Sequence, residues 1–131
     1  MKIYKLTQKD LKLIEEAKKV IKRNYRNKGE VLSTVGASLE SKSGKIYCGV
    51  NIESKTSAPT SICAETGAIS NMLSNGEREI KTIVGLWIDG KKYGIMPPCG
   101  ACRHIISQFG NPFVILDNNK KVKLNDLYPL K

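Results

Sequence analysis

The apolar positions follow two different periods along the chain. From Thr7 onward, Leu11, Ile14, Ile21 and Tyr25 recur at helical spacing, with Leu13, Ala17 and Val20 beside them, so one face of a helix is apolar. Thr7 and Asp10 resemble a capping box, with Asp in place of Glu, and Asn27-Lys28-Gly29 is a stop signal. Val31 to Glu40 and Lys45 to Glu53 read as strands, and the turn Ser41-Lys42-Ser43-Gly44 between them predicts a hairpin. After a polar loop from Ser54 to Thr60, Ser61 is the expected cap of a second helix running to about Asn75, with Gly76 as its stop. Ile80 to Ile88 is almost wholly apolar, which suits a strand buried on both faces. Asp89 to Pro98 reads as a loop, Gly100 to Phe109 as a third helix and Phe113 to Leu116 as a buried strand. Val122 to Leu124 reads as an edge strand, and Asn125-Asp126-Leu127 starts a short terminal helix. The order α-β-β-α-β-α-β-β-α predicts an α/β fold, a mixed sheet covered by helices. With no repeat, linker or low-complexity segment, residues 1–131 are expected to form one domain.

Composition narrows the function more than the fold. Lys and Arg total 22 against 12 Asp and Glu, a formal charge of +10. That charge raises the question of nucleic acid. No lysine run exceeds two residues, and the aromatic residues are spread without a stacking platform. A solvated basic surface is therefore the first expectation, with an RNA-binding or editing protein as an alternative; its field favours anionic or carboxylate-bearing ligands. The longest apolar stretch is too short for a membrane span, and the opening residues lack the apolar core of a signal peptide. A cytoplasmic location follows as the expectation. In that reducing setting the four cysteines read as metal ligands or catalytic groups before disulfides.

The chemistry concentrates in Cys63-Ala64-Glu65 and Pro98-Cys99-Gly100-Ala101-Cys102-Arg103. Both segments fall at expected helix starts, where free N–H groups and the helix dipole favour thiolate over thiol. Cys99 and Cys102 lie one helical turn apart, so both can grip a single zinc ion, and Cys63 adds a third ligand. Three protein ligands leave one tetrahedral position for water, the arrangement of a catalytic zinc; a structural site closes with a fourth side chain. Zinc lowers the pKa of that water toward neutrality. Glu65 stands beside the metal without binding it and is placed to move protons. His104 points away from the Cys102 direction and is expected to be a surface or structural residue. Cys48 is expected to pack in its strand, and Trp87 to lie in the core or at a subunit interface.

This constellation resembles the zinc-dependent cytidine deaminase family. Val35-Gly36-Ala37, Asn51-Ile52-Glu53 and the closing Arg103 also match its motifs. The resemblance implies a three-layer α/β/α fold around a five-stranded mixed sheet. It also implies homo-oligomers, usually tetramers, with a small-molecule nucleoside as substrate and Zn2+ as cofactor. Glu65 would be the catalytic acid and base, Asn51 and Glu53 would hold a ribose hydroxyl, and the Ala64 backbone would meet the amino edge of the pyrimidine. Arg103 would help offset the thiolate charge. The implied reaction is hydrolysis of cytidine or deoxycytidine to the uracil nucleoside and ammonia. The chain departs from the family's nucleoside deaminases at Ser33, where they carry Phe, and at Thr66, where they carry Arg. These departures, with the closing Tyr128-Pro129-Leu130-Lys131, resemble the blasticidin-S deaminase branch, so a modified cytosine nucleoside is the alternative substrate. A non-enzymatic zinc module is the remaining alternative.

Overall fold

A computed structural model describes residues 1–129; Leu130 and Lys131, the end of the blasticidin-S-like tail, lie outside the described residues. Helix α1 (Gln8–Asn24) begins as its sequence requires. The Asp10 N–H donates to Thr7 Oγ1 at 3.2 Å and the Thr7 N–H to Asp10 Oδ2 at 2.9 Å. Its apolar stripe of Leu13, Ile14, Ala17 and Ile21 packs on one face of the main sheet against Val84, Leu86, Ile88 and Ile115. The opposite face carries α2 (Ala64–Ser74) and α3 (Gly100–Ser107). Here Ala68, Ile69, Met72 and Ile106 meet Ala37, Leu39, Ile83 and Val114. Three layers result, helix on sheet on helix, as expected.

The sheet is built on β3 (Val35–Ser41), β4 (Ile46–Val50), β6 (Ile80–Asp89), β8 (Phe113–Ile115) and β9 (Lys120–Lys123). Their spatial order is β4-β3-β6-β8-β9, with β6 and β8 parallel and the other neighbours antiparallel. The strand count departs from five. β1 (Tyr4–Lys5) adds to β9, so β9 is not an edge over its first residues, and β7 (Lys92–Ile95) pairs with β6, making seven strands. The expected loop from Asp89 to Pro98 is therefore partly a hairpin arm. Gly90-Lys91 is its two-residue turn, with Gly90 at the first position at φ +64.

Two expected strands are also interrupted. Val31 to Glu40 splits into β2 (Val31–Leu32) and β3, and Lys45 to Glu53 into β4 and β5 (Glu53–Ser54), with β2 and β5 paired as a separate ribbon. Asn51 causes the break: its Oδ1 accepts the Thr34 and Val35 N–H groups at 2.8 and 2.9 Å. Ser61 does not cap α2. Its hydroxyl accepts the Ser54 N–H at 3.0 Å, and Ile62 stays extended, bridged to Ile52, so the cap falls on Cys63. α4 (Leu124–Leu127) ends the described elements.

This topology sets the position of the site. β3 is antiparallel to both β4 and β6, so β4 and β6 run the same way. Chain that leaves β4 and later returns as β6 must cross over, and so must chain that leaves β6 and returns as β8. The crossovers carry α2, which starts beyond the carboxyl end of β4, and α3, which follows the β7 return arm, and both helices lie on one sheet face.

Candidate metal and nucleoside site

Cys63 and Cys99 are the N-cap residues of α2 and α3, and Cys102 lies in the first turn of α3. The three sulfurs lie within 4.8 Å of one another. Gly49 makes the approach of α2 possible: a Cβ on it would lie 2.8 Å from the Ala64 carbonyl oxygen. The β4 backbone thus seats the helix that carries Cys63 and Glu65. The guanidinium of Arg103 donates from Nε to the Pro98 carbonyl at 2.9 Å and from NH1 to the Leu127 carbonyl at 3.0 Å. Among the described residues its hydrogen bonds go to carbonyls and not to sulfurs, so it fixes the loop ahead of Cys99 against the α4 end.

The donor chemistry fits zinc. The backbone N–H of Cys102, facing the Cys99 sulfur, draws the Cys99 thiol below its ordinary pKa. Burial pushes the Cys63 and Cys102 thiols up, and the Glu65 carboxylate adds to this. Three soft donors this close carry negative charge together only around a cation, and three sulfurs leave one tetrahedral corner for water. His104 is exposed, with Nδ1 3.0 Å from the Tyr128 hydroxyl, and stands outside the cluster. Cys48 is half-buried in β4.

Glu65 is 5% exposed, and burial raises its carboxyl pKa. Its Oε2 lies over Gly85 of β6, where a Cβ would come within 3.0 Å of it. A cavity of about 340 Å³ opens here, lined by the three cysteines with Ala64, Glu65, Asn51 and Glu53. Every site residue read from the sequence except Arg103 therefore borders one space. Because backbone N–H groups hold the Asn51 oxygen, its amide nitrogen is the group left to face a ligand. The Ile52–Ile62 bridge, with N···O distances of 2.9 and 3.0 Å, ties the Asn51–Glu53 segment to the residue before Cys63. Ser33 donates its hydroxyl to the Asn51 carbonyl at 2.8 Å. Sequence reasoning missed Gly85 under the carboxylate, and Val35 and Met96 in the lining. A glycine inside the buried Val84-Gly85-Leu86 run was the available signal.

The family model for the cytidine and deoxycytidylate deaminase zinc-binding region matches residues 7–117. The chain belongs to this family. It is a zinc-dependent hydrolytic deaminase of the cytidine deaminase type. It is 35% identical to the blasticidin-S deaminase of Bacillus cereus over 140 aligned positions, covering 100% of this chain and 97% of that one. It is 37% identical to the cytidine deaminase of Sporosarcina psychrophila over 100, covering 76% and 69%. Among solved structures, cytidine deaminase from Burkholderia pseudomallei superposes with a TM-score of 0.76 at 28% identity, covering 95% of this chain and 98% of that one. Cytidine deaminase from Mycobacterium leprae shares the fold, with a TM-score of 0.75 at 22% identity over 90% and 95%. Among the described residues no helix is long and apolar enough to cross a membrane.

Proposed function

We propose that this deaminase removes the exocyclic amine of cytidine or deoxycytidine, using Cys63, Cys99 and Cys102 as metal ligands. The carrying observation is the convergence of three sulfurs and one buried carboxylate on a single cavity. Zinc, when bound, supplies an activated water at the open corner. Glu65 would take one proton from that water and give it to the ring nitrogen, and would then take the proton of the newly attached hydroxyl and give it to the leaving amine. A carbon–oxygen bond forms, the carbon–nitrogen bond breaks, and ammonia leaves. The Asn51 amide nitrogen donates to a sugar hydroxyl, the Glu53 carboxylate accepts from it, and the Ala64 backbone meets the amino edge of the base. Arg103 supports the ligands by holding the Pro98 carbonyl.

The likeness to a blasticidin-S deaminase along the full chain supports a second substrate, a cytosine nucleoside with a carboxylate on its sugar, which the +10 charge would attract. A homo-oligomer, a tetramer by family likeness, accords with the apolar Val31, Ile52 and Ile62, which are 51%, 41% and 38% exposed. A reducing cytoplasm would keep the thiols available, with pyrimidine nucleoside salvage as the setting. An ammonia-release panel on zinc-loaded protein tests the reading. Turnover of cytidine and deoxycytidine supports it, and turnover of blasticidin S alone selects the second substrate. Release from no cytosine nucleoside would sink both. Glu65→Gln should keep zinc and fold while losing turnover.

A further inference from the structure

Asn51 stands where two ladders part. The β3–β4 pairing ends at Gly36 and Val50, and the β2–β5 ribbon resumes at Leu32 and Glu53. The Asn51 N–H still reaches back to the Val35 carbonyl at 3.1 Å. Its own carbonyl has no main-chain donor left across the gap. The Thr34 and Val35 N–H groups go to Asn51 Oδ1, and the Ser33 N–H goes to the Arg26 carbonyl at 2.9 Å. A half-buried carbonyl needs a partner. The Ser33 hydroxyl supplies it, donating to the Asn51 carbonyl at 2.8 Å.

That bond also fixes an orientation. The Asn51 carbonyl and the Ile52 N–H belong to one planar peptide. Ser33 holds the oxygen of this plane, and the Ile62 carbonyl accepts from its N–H at 3.0 Å. The peptide is therefore clamped from both sides, and the second clamp is the residue before Cys63. The backbone N–H, the carbonyl and Oδ1 of Asn51 are all committed, which leaves the amide nitrogen for a ligand. Asn51 and Glu53 border the cavity, whereas Ser33 lies outside its lining. Ser33 thus reaches a bound molecule only through the Asn51 segment. Without its hydroxyl the carbonyl must turn toward water, and the plane turns with it.

We infer that Ser33 is a positioning residue for the sugar side of the site: its hydroxyl locks the Asn51–Ile52 peptide so that the Asn51 amide nitrogen is aimed at a nucleoside hydroxyl. This role rests on the nucleoside deaminase reading and deepens it. It also gives the departure at this position a use, because the phenylalanine of the resembling family has no group to donate to the carbonyl. The contact lies away from the bond that breaks, so it acts on binding, and only for substrates that carry the hydroxyl.

The test compares cytidine with 2′,3′-dideoxycytidine, which lacks both ring hydroxyls, on zinc-loaded protein. Ser33→Ala should raise the KM for cytidine about fivefold, the loss expected for one hydrogen bond, with kcat within about twofold. The KM for the dideoxy substrate should move by less than about twofold, because there the aimed amide has nothing to bond. A merely structural loss would weaken both substrates alike. Ser33→Thr keeps a hydroxyl and should bring the cytidine KM back to within about twofold of the parent. An unchanged cytidine KM in Ser33→Ala, an equal rise for both substrates, or no recovery in Ser33→Thr overturns the role of Ser33 and leaves the deaminase reading intact. Equal KM values for the two substrates in the unmodified protein would mean that Asn51 holds no ring hydroxyl, and the role of Ser33 falls with that contact. Absence of cytidine turnover by the unmodified protein overturns the functional reading itself.

Discussion

Adding one methyl group at Gly49 should damage both stability and turnover. A Cβ there would stand 2.5 Å from the Gly67 carbonyl carbon and 2.8 Å from the Ala64 oxygen, both α2 backbone. Backbone atoms cannot swing aside as a side chain does. The first turns of α2 must therefore retreat from β4 by about 1 Å, and overpacking of this kind costs about 3 kcal/mol, the upper end for an added methyl. For a chain of this size that lowers the melting temperature by about 10 °C. The same shift carries Cys63 and Glu65 away from Cys99 and Cys102, and a 1 Å misplacement near reacting groups costs about a hundredfold in rate. Gly67→Ala is the comparison. It faces the same strand, but its nearest atom is the Val50 oxygen at 3.2 Å, and alanine gains about 1 kcal/mol over glycine within a helix. Its melting temperature should stay within about 2 °C of the parent. Calorimetry and ammonia release on both variants decide the matter. A Gly49→Ala protein that melts and turns over like the parent, or a Gly67→Ala protein that loses more, refutes the close-approach argument.

Three further outcomes are expected. Lys121→Met leaves Asp10, whose side chain is 2% exposed, without the ammonium 2.6 Å away, and should cost about 3 kcal/mol by urea denaturation. The D10N/K121M double variant should recover most of that, and its failure to do so would show that the pair contributes more than mutual neutralisation. The Ser43 and Tyr47 hydroxyls, each 2.6 Å from Glu77, hold its carboxyl at about 2 against an ordinary 4.5. The stability this confers is complete above pH 4.5 and is lost as pH falls toward 2. Glu77→Gln should therefore flatten the urea midpoint between those values, and an unaltered acid limb would count against these bonds. Arg103→Lys cannot reach both the Pro98 and Leu127 carbonyls from one planar fork. Zinc loss to a chelator should accelerate about tenfold, and equal loss rates would remove Arg103 from the support of Cys99.

Local signals made α1 legible, because its apolar stripe and its capping box lie within one segment; its end was not, since the helix stops at Asn24 and Arg26 already bridges Ser33 ahead of Asn27-Lys28-Gly29. The other partner of Asp10 was not legible: Lys121 lies 111 positions away and nothing near it announces the pair. β7 was hidden for a related reason. Lys91-Lys92-Tyr93-Gly94 reads as polar loop, and Gly94 makes sense only once the indole of Trp87 is seen lying on it. Ser61 looked like a helix cap by type, yet its hydroxyl was already committed to Ser54, so the extended chain ran on to Cys63. Propensity gave way to a tertiary hydrogen bond.

The metal ligands were readable because each half of the cluster is local, a Cys-Ala-Glu and a Cys-x-x-Cys at two helix starts. Their meeting in space depends on strand direction. Because β4 and β6 run the same way and the crossovers after them carry α2 and α3 on the same face, α3 after the β7 return arm, the two helix N-termini open on one cavity. Ligand sites in open sheets gather at the carboxyl ends of strands for this reason. The arrangement also answers a charge problem. Three thiolates around one divalent ion leave a net negative charge, Thr66 brings no cation, and the guanidinium of Arg103 is bonded to carbonyls. The positive ends of α2 and α3 are what remains beside the sulfurs, and the Cys102 N–H already draws the Cys99 thiol down. Helix placement in this chain therefore takes over part of the task for which its relatives by resemblance use an arginine.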